Sequence, residues 1–540
     1  GIPGSGYKWT YEYDPAEFCW APQTSYVPPL GLNSPICLTG STVGKKVVKV
    51  TAPDSTKTRY TYGTDVRNND GQLLKVEEDW NGTTAKRTTT TEYASIDAGP
   101  YPSRLGSSPN SRQNANTLSR GYTPQKRRTI VQDGATFKWE ATTFDTRARP
   151  TNVTRSSTLA SPNSITETTE YHDRLDTWVL GQIKKITSDG SVAVENIYYA
   201  NSPDLYQTKA FGVLKQSFTW NPDGTLASVA DGAGHTTTFS NYSRGYPEDV
   251  DYADGTHLDA HVDGNGDVES VDIPIQAMGT TPPQSAQSAR TSYSYDDVGR
   301  LETITYPADN TSSWNTTTIA YAPVSVAEYG LTAGHWKRTE STGNARKITY
   351  FDALWRPRLV EEYDTTNPTG TRRFTHRDFD HDGRETFVSY PTDTFASVAT
   401  RGKGMATIYD GLGRVWKTHA DSELEDGNGN PLVLETKIEW KTPFKRVVTD
   451  PRGKVTITTF QAFDQPSEDA PLTILQPESV TTTIARDVYG KPKSITRSGN
   501  GTSVTRSYVY DAGQRLCKTV EPESGATIQD YDAAGNVAWQ

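Results

Sequence analysis

The sequence predicts an all-β fold built by repetition, and three observations predict it. A seven-residue phrase, aromatic–Asp–x–x–Gly–Arg–aliphatic, returns along the 540 residues. Self-similarity at a spacing of tens of residues marks an array, so no single Asp or Tyr is read as a site before the repetition is accounted for. The flanks of the phrase alternate, as in Arg290-Thr291-Ser292-Tyr293-Ser294-Tyr295. Rings two apart share one face of a strand, and hydroxyl residues take the other. Composition agrees: 29 Tyr, 12 Trp, 43 Gly and 32 Pro stand against 2 Met, which suits pleated surfaces and turns. No apolar period of 3.6 residues persists, so helix should fill less than about a tenth of the chain, against the usual third.

Taken in order, residues 1–6 (Gly-Ile-Pro-Gly-Ser-Gly) resemble a vector-derived tag or scar. Residues 7–125 carry no clean copy of the phrase and are expected to form an irregular N-terminal β region. Within it the Gly-, Pro-, Ser- and Asn-rich stretch 98–122 is expected to be a long loop or linker. Residues 126–540 are expected to be the array. Its clearest copies are Tyr295-Asp296-Asp297-Val298-Gly299-Arg300-Leu301 and Tyr409-Asp410-Gly411-Leu412-Gly413-Arg414-Val415. Phe379-Asp380-His381-Asp382-Gly383-Arg384 is a third. Looser copies start at Phe144, Phe351 and Tyr531, the last running Tyr531-Asp532-Ala533-Ala534-Gly535.

Each copy has a plain physical reading. The Asp ends a strand, because a short carboxylate bonds backbone amides two residues ahead and nucleates a turn. The Gly supplies the positive φ of a tight connection, and the residues after Arg begin the return strand. Asp352 to Asp380 is 28 residues and Asp380 to Asp410 is 30, room for strands of about 6–9 residues and their turns. Tyr510-Asp511-Ala512-Gly513-Gln514-Arg515-Leu516 has Gln514 where Gly is expected, so its turn should differ. Breaks are expected at 276–287 and at the acidic stretch 421–431.

Charge and hydropathy narrow the partners. A net charge of −10 and a pI near 5.4 argue against a nucleic-acid surface, and Lys126-Arg127-Arg128 is too short to reverse that. No apolar run approaches the ~20 residues of a membrane span. A hydrophobic fraction of 34% and a mean hydropathy of −0.68 suit a sheet that is polar on both faces with a thin aromatic seam. Cys19 and Cys37 are either a disulfide of an exported protein or two buried thiols; Cys517 is expected to be a small core residue.

Candidate chemistry is sparse. Asp421, Glu423, Glu425, Asp426, Asn428 and Asn430 gather enough oxygens for Ca²⁺, or form a solvated hairpin tip; no other cofactor is expected. His376-Arg377-Asp378-Phe379-Asp380-His381-Asp382 has metal-binding donors, although strand alternation should divide them. His257 and His261, with Asp259 between them, share one strand face and are the candidates for acid/base or metal chemistry. No nucleophile elbow, zinc-protease helix or phosphate loop occurs.

The phrase resembles the YD repeat of the RHS (rearrangement hotspot) family, which includes polymorphic toxins, insecticidal toxin-complex B and C components and teneurins. The resemblance covers roughly Thr129 to Gln540. It implies an extended antiparallel sheet of YD hairpins spiralling into a hollow shell, which in toxin members encloses an effector released by an aspartyl-protease-like core. Asp450-Pro451-Arg452-Gly453 has the letters of that core signature, but repeats follow it and it reads as another turn, so self-cleavage is not carried over. The expected function is a container or scaffold of a secreted or surface-exposed protein without turnover of its own. Its partners would be a further RHS segment or an enclosed effector. The alternative is a carbohydrate-binding or polysaccharide-degrading protein, since aromatic rings stack on sugar faces.

Overall fold

The computed structural model describes residues 7–15, 44–64, 69–95, 98–102, 122–275, 287–307, 314–425, 429 and 431–540. Cys19, Cys37, Asp426, Asn428 and Asn430 lie outside the described residues. Thirty-seven strands, from Thr10–Tyr13 to Gly525–Ile528, form one antiparallel sheet in which each pairs with its sequence neighbours. Helix among the described residues is limited to Pro368–Thr371 and the 3₁₀ turn Pro477–Ser479. The alternation of small β-branched and aromatic residues is what the pleat selects, and the Asp-Gly turns keep consecutive strands adjacent.

No break in the sheet marks the boundary expected at 125/126. Ala85–Tyr93 pairs with Gln125–Gln132, from Arg87↔Gln132 to Tyr93↔Gln125. A ladder is made by backbone groups, so strands without the phrase join it as readily as those with it. The acidic stretch also departs from expectation. Val415–Glu425 is one strand, paired through Asp421↔Val433 and, past a register shift, at Glu425↔Pro431, so Asp421 and Glu425 belong to a ladder and not to a loop, with Glu423 in the irregular step between them.

In a meander successive turns fall on opposite rims. Every copy of the phrase from Phe144 to Tyr510 opens after an odd-numbered strand, so these turns lie on one rim; we call it the Asp rim. The sheet then returns upon itself. Tyr489, in the turn between the thirty-third and thirty-fourth strands, donates from its hydroxyl to the Ser188 carbonyl at 3.0 Å, beside the turn between the tenth and eleventh. Phe444 N, between the twenty-ninth and thirtieth strands, donates to Asp133 O, between the sixth and seventh, at 3.0 Å. Both offsets are twenty-three strands. The sheet is thus an open spiral whose second gyre sets its Asp rim on the opposite rim of the first.

At about 4.8 Å per strand, a gyre of that many strands runs roughly 110 Å round and about 35 Å across. Two sheets packed face to face fill only about 10 Å, so side chains of the wall do not fill that width.

Apolar burial is correspondingly local. One cluster joins Ile130, Ala135 and Phe137 of the first gyre to Phe444, Phe460 and Ala462 of the second, with Phe137 and Phe444 edge to face at 5.3 Å. Another lies under the connections 324–335 and 390–403, where Leu331 and Val398 cover Tyr350, Leu359 and Phe374. A third gathers Ala94, Tyr101 and Ala148.

Candidate functional site

The most developed chemistry is the repeated turn itself. Asp410 Oδ1 accepts from Leu412 N at 2.9 Å and Arg414 N at 3.0 Å, and Oδ2 accepts from Arg414 Nη2 at 2.7 Å. Gly413 N closes the turn on Asp410 O at 2.9 Å, with Gly413 at φ 78°. Asp296, Asp352 and Asp380 make the same bonds to their own turn amides and to Arg300, Arg356 and Arg384. In the last copy, Asn536 replaces Arg, and its amide and side chain bond Asp532 beside Gly535.

The Arg then reaches forward. Arg300 lies 4.6 Å over the ring of Tyr321, Arg384 4.8 Å over Tyr409, Arg414 3.8 Å over Trp440 and Arg515 4.8 Å over Tyr531. The next ring reaches back: Tyr409 donates to Glu385 O at 2.8 Å, Tyr531 to Leu516 O at 2.8 Å and Tyr295 to Val268 O at 2.9 Å. Where both contacts occur, at Tyr409 and Tyr531, the hairpin is clamped to its predecessor by a cation over a ring and a hydroxyl on a carbonyl. Phe379 keeps the ring under Arg356 at 5.4 Å but has no hydroxyl to donate.

Electrostatics follow from these bonds. The Arg300 amide holds Asp296 below the ordinary carboxylate range, and the Asn536 amide does so for Asp532. Burial works against the charge of Arg414, but its bonds to Asp133 and Asp410 outweigh that and raise its pKa. The Gln514 turn does not differ from its neighbours: Gln514 N bonds Asp511 O at 2.9 Å and Gln514 takes φ 62°. The bonds from Asp511 to Arg515 N and Nε, at 2.7 and 2.8 Å, hold the turn without Gly.

The histidine candidates face carboxylates of neighbouring strands. His257 Nδ1 lies 2.7 Å from Asp251, while His261 is 3.6 Å from Glu248 and 3.4 Å from Glu269. Across the ladder Asp249, Asp259 and Asp272 stand opposite one another, and Arg290 neutralises only Asp272, at 2.8 Å. A cavity of about 520 Å³ opens here beside Tyr242, His261 and Arg290.

The other candidates do not converge. His376 is fully buried with Nε2 3.1 Å from Asp378, and Asp378 is held at about 2 because its bonds to His376 and Arg401 outweigh the burial that would raise it. His381 sits in the following turn, against the rings of Tyr7 and Trp9. Asp421 Oδ2 accepts from Gly404 N at 2.8 Å, and Glu423 and Glu425 project into solvent. Among the described residues no group of three or more His, Cys, Asp or Glu is placed to hold a metal ion.

The contacts between gyres carry no sequence signal. Asp464 joins Arg128 at 3.3 Å and Arg155 at 3.0 Å. Ser157 Oγ donates to Ala462 O at 2.6 Å. Only the sheet's return after a full gyre brings these residues together, so no local spacing predicts them.

Fold and site together define an open spiral wall of interlocked hairpins. No protein-family model matches the chain, and no curated protein does. Solved structures resemble it in fold. The crystal structure of TcdB2-TccC3-Cdc42 is 10% identical over 91% of this chain and 25% of that one, with a TM-score of 0.40. TcdB2-TccC3 without its hypervariable C-terminal region is 10% identical over 91% of this chain and 26% of that one, at 0.32. The Photorhabdus luminescens Tc holotoxin pore is 9% identical over 92% and 47%, at 0.26. The chain spans about a quarter to a half of those chains, and the likeness concerns fold, not activity. No helix among the described residues is long and apolar enough to cross a membrane.

Proposed function

We propose that this chain is a wall segment of a secreted or surface-exposed container, a scaffold that holds or shields another polypeptide and does no chemistry itself. The observation that carries the reading is the spiral: one sheet layer, returning after twenty-three strands, surrounds more width than its side chains fill. Clamped hairpins and seams between gyres make such a wall stiff without a thick core. The partners that fit are a further repeat segment and an enclosed effector. Small-angle scattering tests it: a hollow particle gives a pair-distance distribution weighted to long distances, whereas a filled globule of this mass would refute the container.

The cavity beside Tyr242, His261 and Arg290 favours the second reading, a polysaccharide-binding or polysaccharide-cleaving surface. Acidic and neutral polysaccharides, followed by reducing-end release and by absorbance of unsaturated uronates, distinguish the two. We expect no turnover; activity abolished by His261→Ala or His257→Ala would place the second reading first.

A further inference from the structure

Five aromatic residues among those described have left-handed backbone: Trp178, Phe211, Tyr329, Trp355 and Phe444, at φ 48–59°. That conformation costs a residue with a Cβ about 1–2 kcal/mol, and such strain persists where the surroundings repay it. For three of the five, other parts of the fold cover the residue and repay it. Phe211 packs on Tyr489 at 5.1 Å and Phe444 on Phe137 at 5.3 Å, both across the seam between gyres. Tyr329 lies in the cluster beside Tyr350. Trp355, at the position where regular copies of the phrase have Gly, rests only against Trp336 and Phe351 of its own hairpins, at 5.4 and 5.5 Å, and stays 50% exposed, while Trp178 is 78% exposed.

Both lie in turns of the Asp rim that no second gyre covers. The contrast with covered turns is direct. In the second gyre 411–413 and 488–490 are half-buried throughout, whereas 297–299 and 353–355 are exposed throughout. Leu412 and Tyr489 hold the same place in their phrase as Val298 and Leu354, which are left 72% and 43% exposed. The rim is continuous with the established seam, since the turn at Asp380 already meets Asp54 of the first gyre through His381.

We propose that the uncovered Asp rim is an interface for a second copy of this chain, anchored by Trp178 and Trp355. What such a rim accepts is displayed inside the molecule: the opposite rim of the same sheet, with its short Gly turns and the carbonyls of Asp133 and Ser188, which accept from Phe444 N and the Tyr489 hydroxyl. A second copy offers that rim uncovered, with Tyr252 42% exposed and the turn around Gly255 open to solvent. The contact joins unlike rims, so it is head to tail, and each added copy presents a fresh Asp rim. Two Trp flanked by exposed aliphatic residues are the composition of an interface hot spot. The inference does not depend on the container reading, and a hollow monomer would leave that reading intact while refuting this one.

Sedimentation equilibrium of the full chain, from low micromolar to hundreds of micromolar, tests it. The expected result is mass rising with concentration past the dimer. Trp178→Gly with Trp355→Gly should weaken association at least about tenfold. The single-chain mass at every concentration overturns the proposal, as does association unchanged in the double variant. Leu354→Ser is a milder third variant, and it should weaken association without touching a strained backbone.

Discussion

Asp410 is the member of the repeat with most to lose, because its carboxylate serves two turn amides and an Arg that is itself largely buried. Asp410→Ala should cost about 1–3 kcal/mol, read as a shift of the denaturant midpoint at unchanged slope. Asp532→Ala, in a turn with Asn in place of Arg, should lower the melting temperature less. Equal losses would mean that the Arg clamp adds nothing. The role of Asp was legible because its bonds are local, within four residues. Gln514 was misjudged for a related reason: the phrase suggested that Gly was needed, whereas the Asp511 bonds to Arg515 are strong enough to hold a left-handed Gln. Gln514→Gly should therefore stabilise the chain by up to about 1 kcal/mol, and a loss on the same assay would show that the Gln side chain packs favourably.

Hairpins are joined by charge, which sets how they respond to acid. The Arg149 bonds hold Asp173 far below the ordinary carboxylate range, those to His376 and Arg401 hold Asp378 at about 2, and the Arg300 amide lowers Asp296. A depressed folded-state pKa gives stability that is present above the unfolded value, near 3.9, and lost as pH falls through the folded one. Denaturant midpoints should be flat down to about pH 4 and collapse between about pH 4 and 2. A midpoint unchanged at pH 2 would show that these pairs do not hold the wall. Strand identity and turn placement were readable in advance, since alternation and Asp-x-x-Gly are local. The strand status of Asp421 was not, because its acidic run resembles a loop until the pairing with Val433 is known.

The spiral couples places far apart in sequence. Asp464 lies 309 residues from Arg155 and holds it across the seam. Asp464→Asn should raise amide exchange both around Arg128 and Arg155 and around Gln461, although local repeats alone would confine the effect to neighbours. Protection lost only near residue 464 would mean that the seam contributes little.

The amino-acid sequence by itself determined an all-β array, the position of its Asp turns along the chain and the bonds inside each turn, because all of these depend on residues a few positions apart. Tertiary structure decided the rest. Twist and curvature accumulate over twenty-three strands before Ser188 meets Tyr489, and no short window contains that sum. The same curvature lays Phe211 on Tyr489 and buries Phe444, and leaves Trp178 and Trp355 exposed. Residues alike in local conformation thus become seam or surface according to whether a second gyre passes over them.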